Sequence, residues 1–126
     1  MALPVTSVFA AIAALALVVM SFRVSLLRMR VGATHGDAGD PMLVRRIRAQ
    51  GNFIEYVPIG LILMALLELR GTDGTILWGT GGVLALGRAS HALGTLSGAT
   101  PLRAAGMIGT YLALLAGAGL LLYFRL

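Results

Sequence analysis

One segment of the chain carries charged and polar side chains into an otherwise apolar stretch. It reads Arg-Ala-Gln-Gly-Asn-Phe-Ile-Glu-Tyr-Val-Pro over residues 48–58. On a helix, which turns about 100° per residue, these spacings put most of the polar side chains on one face. The residues of this stripe are Arg45, Arg48, Asn52, Glu55 and Tyr56. A carboxylate in a membrane is costly unless it is paired and faces protein or water, so we expect the stripe to face other helices or a ligand.

The composition indicates that this stripe belongs to an integral membrane protein. The chain has 126 residues, of which 58% are hydrophobic and 12% are charged, and its mean hydropathy is +0.90. A soluble domain is nearer about 45–50% apolar. No sequence repeat is evident, so we expect one domain.

The charged residues further limit the ligands and reactions that the protein could serve. All ten basic residues are Arg, and the formal net charge is +5. Arg side chains at helix ends, beside apolar runs, suit bidentate binding of carboxylate or phosphate and contact with lipid headgroups, and they do not indicate nucleic acid. The chain has no Cys, which excludes a disulfide framework, a Cys-ligated metal site and a cysteine nucleophile. A thiol for any thiol chemistry would come with the substrate, and we expect no metal.

Four apolar segments predict an all-α bundle of four transmembrane helices. The expected bounds are about 4–28, 41–69, 75–96 and 101–124. The first segment lacks the basic start of a cleaved signal peptide, so we expect it to be retained. Asp40 before Pro41 is a helix start, with the carboxylate as cap, and Thr100 before Pro101 repeats that signal. Pro58 lies inside the second helix and is expected to bend it.

Further candidate residues lie near the helix ends. Arg88 and His91 are three residues apart late in the third helix, and Arg103 lies in the first turn of the fourth. If the helices alternate in direction, these residues fall on the same membrane side as Arg48. A helix start is already electropositive, so a bound anion would explain Arg103. Arg23, near the end of the first helix, either snorkels to the interface or faces the stripe.

The distribution of Arg predicts the orientation in the membrane. One side carries Arg23, Arg28, Arg30, Arg45, Arg46, Arg48, Arg88 and Arg103, and the other carries Arg70 and Arg125. By the positive-inside rule, the Arg-rich loops are expected to be cytoplasmic and the termini periplasmic or lumenal.

Small residues on two helices predict close helix packing. In the fourth helix Gly109, Ala113 and Gly117 recur every four residues. The third helix carries Gly79, Gly81, Gly82 and Gly87. Such residues let the backbones of neighbouring helices approach closely.

The segment from Arg48 to Pro58 resembles the signature of the MAPEG family, the membrane-associated proteins in eicosanoid and glutathione metabolism. In that family an Arg-Ala-(His/Gln)-x-Asn-x-x-Glu-(Tyr)-x-Pro run opens helix 2. The segments 87–92 and 101–103 are similar to the third-helix end and fourth-helix start of the microsomal prostaglandin E synthase branch. The resemblance covers nearly the whole chain. It implies a homotrimer of four-helix subunits, with glutathione bound between neighbouring subunits at the cytoplasmic side.

The resemblance also implies roles for single residues. The glutathione ligands would be Arg23, Arg48, Asn52, Glu55 and Tyr56. Arg48 and Arg23 would bind carboxylates and Glu55 the ammonium group, while His91 and Arg103 would line the site from the neighbouring subunit. Arg103, assisted by Arg88 or His91, would hold the thiol as a thiolate.

The implied activity is that of a glutathione-dependent transferase or peroxidase acting on lipophilic electrophiles from the bilayer. Two positions depart from the family pattern. Thr95 stands where eukaryotic members place a Tyr, and Ala99 or Thr100 stands where leukotriene C synthase has its activating Arg. Two other classes stay open, a small four-helix transporter and a structural membrane subunit whose Arg and Glu hold helices together. Conjugation, peroxide reduction and isomerisation also remain alternatives.

Overall fold

The computed structural model describes residues 2–123, and these residues form four helices. They are α1 (Pro4–Val31), α2 (Pro41–Leu69), α3 (Gly74–Ser97) and α4 (Thr100–Tyr123). The predicted class, an all-α membrane protein with four helices, is confirmed. α1 continues almost a turn beyond the predicted end. Residue 124 of the predicted fourth helix and Arg125 lie outside the described residues.

The helix starts follow from local side-chain hydrogen bonds. The Asp40 carboxylate accepts the N–H of Leu43 at 2.7 Å, as the Asp-Pro pair predicts. The Asp73 carboxylate accepts the N–H of Thr75 at 2.8 Å, and this hydrogen bond holds the pKa of Asp73 below its usual value. In α4 the predicted cap is displaced by one residue, because Thr100 is itself the first helical residue.

The start of α1 is capped by a residue from another helix. Glu68, at the end of α2, accepts the N–H groups of Val5 and Thr6, both at 2.8 Å. The first N–H groups of a helix have no hydrogen-bond partner within the helix. A carboxylate at that end also interacts favourably with the helix dipole. The last turn of α2 is thereby fixed to the first turn of α1.

Contacts along the helices show that consecutive helices run in opposite directions. The start of α1 meets the end of α2 through Glu68, and the Arg46 guanidinium of α2 donates to the Arg23 carbonyl at 2.7 Å. At the same end of the molecule, the Arg45 guanidinium donates to the Leu96 carbonyl at 3.4 Å. The loop between α1 and α2 and the loop between α3 and α4 therefore lie at one end, which carries most of the Arg side chains.

α3 and α4 pack most closely. A Cβ atom on Gly106 would lie 2.3 Å from the His91 amide nitrogen, and one on Gly94 would lie 2.3 Å from that of Arg103. The predicted small-residue face of α4 packs within the chain, with Gly109 against Gly87 and Gly117 against Leu63.

Two of the four α3 glycines predicted to permit close packing have no such contact. Nothing lies within 4 Å of a Cβ atom placed on Gly79 or Gly82, whereas one on Gly81 would meet the Phe9 ring. The Cβ position of Gly87 lies 3.0 Å from the Gly106 carbonyl oxygen. Close packing of α3 therefore involves Gly81, Gly87 and Gly94.

The outer surface is suited to lipid. α1, α2 and α4 are each long and apolar enough to cross a membrane. Large apolar side chains such as Leu15 and Leu115 are about 70% exposed, at 69% and 70%. α3 has the same 24-residue length as α4 but buries the polar side chains of Arg88 and His91. The chain is an integral membrane protein.

Candidate functional site

A cavity of about 810 Å³ opens between α2, α3 and α4 near the Arg-rich end. Its volume lies within the range of about 300–1,000 Å³ that is usual for small-molecule sites. The polar residues of its wall are Arg45, Arg48, Asn52, Glu55, Tyr56, His91, Thr95, Thr100, Arg103 and Tyr111. The helical stripe predicted from the sequence therefore faces other helices and a cavity.

Six of the eight predicted site residues line this one cavity. α2 supplies Arg48, Asn52, Glu55 and Tyr56, α3 supplies His91, and α4 supplies Arg103. A single chain thus brings together residues that the resemblance divides between two subunits. The antiparallel packing of α3 and α4 is the cause, because it places the end of α3 beside the start of α4.

Three of the four Arg and Glu side chains in the cavity wall have no partner among the residues that the structure describes. Among residues 2–123, no hydrogen bond or ion pair engages the side chains of Arg48, Glu55 or Arg103. Three Arg and one Glu line the wall, so the cavity is electropositive with one local negative charge. Arg side chains in such a wall can bind carboxylates through paired hydrogen bonds, and Glu can bind an ammonium group.

Arg88 lies behind the wall instead of in it. The residue is 4% exposed. Its Nε–H donates to the Thr110 hydroxyl at 2.8 Å, and its Nη1 donates to the side-chain oxygen of Asn52. The guanidinium also lies 5.3 Å from the centre of the Tyr56 ring, a cation–π contact. Arg88 therefore orients two cavity residues and contributes positive charge to them.

Arg23 is the predicted ligand that lies away from the other predicted ligands of the same chain. It is exposed on α1, and within residues 2–123 no Cα atom of α1 lies within 8 Å of a Cα atom of α4. On the side of α2 that faces α1, the Gln50 amide donates to the Ser21 hydroxyl at 2.6 Å. Arg23 and the cavity consequently lie on different sides of α2.

The sequence reasoning missed residues of α4. Tyr111 and Met107 line the cavity, and they follow Arg103 at intervals of four residues, a helical spacing that predicts a shared face. Thr110 was also missed. Its hydroxyl donates to the Gly106 carbonyl at 2.8 Å and accepts from Arg88. Thr hydroxyls often bond to the carbonyl one turn earlier, so the sequence gives no signal for a role toward Arg88.

Of the positions that depart from the family pattern, Thr95 lies in the wall, and of Ala99 and Thr100 only Thr100 does. The Thr95 hydroxyl donates to the His91 carbonyl at 2.8 Å, so the hydroxyl proton is engaged in a hydrogen bond within α3. Among the described residues, 2–123, no cluster of three or more His, Asp or Glu side chains is placed to hold a metal ion.

A smaller, apolar cavity of about 200 Å³ lies between α1, α2 and α3. Phe9, Met20, Phe53 and Leu84 line it, and Arg88 borders it. Arg88 thus lies between the polar cavity residues on one side and an apolar space on the other.

Comparison with known proteins decides the family. The sequence model of the MAPEG family matches residues 6–123, nearly the whole chain. The chain belongs to the MAPEG family. It is 37% identical over 111 residues to the inner membrane protein YecN of Escherichia coli K12, a match that covers 88% of this chain and 85% of YecN. The inner membrane protein YecN of Escherichia coli O6:H1 gives the same values. The MAPEG match includes α2, α3 and the whole cavity wall, so the family resemblance seen in the sequence is confirmed.

Proposed function

We propose that this MAPEG protein is a membrane-bound glutathione-dependent transferase or peroxidase that acts on lipophilic electrophiles. One observation carries the proposal. The cavity presents unpartnered guanidinium groups from Arg48 and Arg103 together with the unpartnered carboxylate of Glu55. Glutathione carries the complementary groups, two carboxylates and one ammonium, as well as a thiol.

The polar residues of α2 match the backbone of such a ligand. Arg48 binds one carboxylate and Glu55 binds the ammonium group, each through charge-assisted hydrogen bonds. Asn52 and Tyr56 supply neutral hydrogen bonds. Arg88 holds the Asn52 side chain in place through its Nη1–H, so part of this ligand set is fixed before glutathione binds.

Activation of the thiol is assigned to the positive charge of α3 and α4. A guanidinium near a thiol stabilises the thiolate and lowers the thiol pKa from about 8.5 toward neutrality. Arg103 is the exposed guanidinium on the α4 side of the cavity. Arg88 and His91 assist from α3. The thiolate then attacks an electrophile that arrives from the bilayer.

The position of Arg23 supports a site shared between subunits. Arg23 lies across α2 from the cavity of its own chain. In a homotrimer it would approach the cavity of a neighbouring subunit and bind the second glutathione carboxylate. We infer that the Arg-rich end is cytoplasmic, where glutathione is available, and that the termini are periplasmic or lumenal.

Glutathione binding by the purified protein in mild detergent tests the proposal. We expect saturable binding that Arg48→Ala weakens about 10- to 150-fold, because a charge-assisted hydrogen bond contributes about 1.5–3 kcal/mol. Arg70→Ala is the matched control, since Arg70 is an exposed Arg at the opposite end of the molecule. Isothermal titration calorimetry measures both variants.

A wild-type protein that binds no glutathione would contradict the proposal and favour the transporter or structural alternative. Equal binding by wild type and Arg48→Ala would remove Arg48 from the site. Weakening by Arg70→Ala to the same degree would show that the loss is not specific to the cavity.

A further inference from the structure

The apolar cavity between α1, α2 and α3 is elongated along the helix axes. Its lining runs from Phe9 to Met20 on α1 and from Gly81 to Ala92 on α3. Each interval corresponds to about 16 Å of helix at about 1.5 Å per residue. The hydrocarbon core of a bilayer is about 30 Å thick. The cavity therefore extends over about the depth of one leaflet.

Short side chains leave this space open between α1 and α3. The small residues that line it on the two helices are Ala13, Ala16, Ala85, Ala89 and Ala92. At the end remote from the Arg-rich end, the Phe9 ring occupies the space beside Gly81 that a side chain would need. The Trp78 ring packs on Phe9, with centroids 5.3 Å apart. Two aromatic rings therefore close the cavity at this end.

The interior suits a hydrocarbon chain. Of the residues that line it, only Arg88 is polar, and the Arg88 guanidinium donates on its other side to Thr110 and Asn52. A dry apolar cavity of about 150 Å³ is large enough for benzene, and this one has about 200 Å³ and reaches the surface at the exposed Ala89. A whole helix, about 10–12 Å across, does not fit into that volume.

A guanidinium group lies just beyond the cavity, toward the Arg-rich end. Arg46 precedes Phe53 and Val57 by seven and eleven residues, so it shares their face of α2. Its Nη1–H donates to the Arg23 carbonyl at 2.7 Å, one helical turn beyond Met20. Within residues 2–123 the Nε–H of Arg46 is buried without an acceptor, and the guanidinium makes no ion pair. The apolar cavity thus ends beside a cation that lacks a counter-ion among these residues.

We propose that the apolar cavity binds one acyl chain of an anionic phospholipid, and that Arg46 binds the phosphate of this lipid. The lipid comes from the leaflet at the Arg-rich end. Arg binds phosphate through paired, charge-assisted hydrogen bonds. A chain in the cavity supplies the van der Waals contacts that the short Ala side chains do not make with each other. None of these residues lines the polar cavity, so the inference does not depend on the glutathione-dependent function.

Trp78 provides a direct readout, because it is the only Trp of the chain and lies at the closed end of the cavity. Bromine quenches indole fluorescence only at close range. The purified protein in mild detergent is titrated with phosphatidylglycerol that carries bromine either near the headgroup or near the end of the acyl chain. We expect saturable quenching that is stronger with bromine near the chain end. A lipid of the opposite leaflet would quench in the reverse order, because Trp78 lies in the second turn of α3.

Two variants separate the headgroup contact from the chain contact. Arg46→Gln should weaken the apparent affinity for phosphatidylglycerol about 10-fold, because a charge-assisted contact is lost. Arg30→Gln is its matched control, since Arg30 is exposed at the same end but lies ten residues beyond Met20. Ala16→Leu should abolish the quenching, because the larger side chain fills the cavity. Ala11→Leu, at an exposed position of α1 outside the cavity, should not.

Other results would overturn the proposal. Equal quenching by brominated phosphatidylcholine, or by a brominated fatty acid methyl ester, would show that the cavity accepts lipophilic molecules without regard to an anionic headgroup. Quenching that persists in Ala16→Leu, or that is stronger with bromine near the headgroup, would place the chain elsewhere. No quenching by any of the lipids would exclude the site.

The headgroup variant keeps the test valid if Ala16→Leu does not assemble. Arg46→Gln leaves the lining of the cavity intact, because Arg46 lies outside it. Equal affinities of wild type and Arg46→Gln for phosphatidylglycerol would overturn the assignment of Arg46 to the phosphate. A loss of the same size in Arg30→Gln would show a general effect of surface charge and would overturn it as well.

Discussion

The buried guanidinium of Arg88 adds positive charge to the cavity from behind its wall. Its hydrogen-bond acceptors are Thr110, Asn52, the Gly106 carbonyl and the Met107 sulfur, all of them neutral. A cation buried without a counter-ion costs several kcal/mol, which these hydrogen bonds offset in part. An anion bound beside Asn52 and Tyr56 would offset more of that cost. Arg88 can therefore still assist activation of the thiol, as the sequence predicts, although it lies behind the cavity wall.

Arg103 and the bound thiol give a prediction at the residue scale. Arg103→Ala should raise the pKa of bound glutathione toward about 8.5, because only the charged form of the thiol loses its partner. Turnover at neutral pH should fall about 10- to 100-fold, while the α2 contacts maintain binding. The thiolate absorbs ultraviolet light and the thiol does not, so a pH titration of the bound ligand measures the pKa in both proteins.

An unchanged thiol pKa in Arg103→Ala would reject Arg103 as the activator and direct attention to Arg88 or His91. If the wild type itself held no thiolate at neutral pH, the whole activation scheme would be wrong. Arg70→Ala again supplies the control for the loss of one positive charge.

Residue types and helical spacing were sufficient to predict most of the polar residues of the cavity wall. Arg48, Asn52 and Glu55 share a face because of their three- and four-residue intervals, and alternating helices bring Arg103 to the same end. Glu68 could not be predicted in the same way. Its partners are the N–H groups of Val5 and Thr6, more than sixty residues earlier in the chain, and no local pattern links them.

At the scale of helices, the close packing of α3 and α4 positions the residues of the candidate site. The glycine contacts at Gly94 and Gly106 bring the two backbones together, and they place His91 beside the first turns of α4. The close contacts of Gly87 and Gly109 were predicted from the sequence. Those of Gly94 and Gly106 were not. Which glycines contact a neighbour depends on the register between two helices. Residue spacing within one helix predicts only which residues share a face. Gly79 and Gly82 accordingly lie away from any neighbour.

Matched glycine substitutions test this packing. Gly106→Ala should destabilise the protein by about 1–3 kcal/mol, because its Cβ would lie 2.3 Å from the His91 backbone nitrogen and the backbone must shift. Gly79→Ala should be neutral or stabilising, since nothing lies within 4 Å and Ala favours helix. Thermal unfolding in detergent compares the two variants. Similar melting temperatures would mean that α3 and α4 are not in the close register described.

At the scale of the whole molecule, α1 is the helix that the cavity does not use. Among residues 2–123, α1 packs against α2 and α3, and its backbone does not closely approach that of α4. Its exposed apolar face includes Ile12, Leu15 and Val18. Arg23 lies toward the Arg-rich end of this helix and on the far side of α2 from the cavity. In the proposed trimer α1 would pack against the next subunit, and Arg23 would then approach the cavity of that subunit.

Mixing two inactive subunits tests whether the site is shared. Arg23→Ala alone and Arg48→Ala alone should each abolish most glutathione binding, because every site then lacks one carboxylate partner. In trimers assembled from equal amounts of both variants, a site is intact when its own chain carries Arg48 and the neighbour carries Arg23. Random assembly produces this combination in about one quarter of sites, since each chain is drawn independently in a cyclic trimer.

The recovered binding distinguishes a shared site from one built by a single chain. If Arg23 and Arg48 served the same site from one chain, each subunit would lack one of them and no mixture would recover binding. Calorimetry of all co-expressed trimers, purified through a tag that both variants share, should therefore show about a quarter of the wild-type capacity at wild-type affinity, because an intact site has the full set of contacts. Trimers of each variant that are mixed only after separate assembly should recover no glutathione binding. A mixture as inactive as its components would exclude Arg23 as the neighbour's contribution, and a monodisperse monomer that still binds glutathione would exclude the shared site altogether.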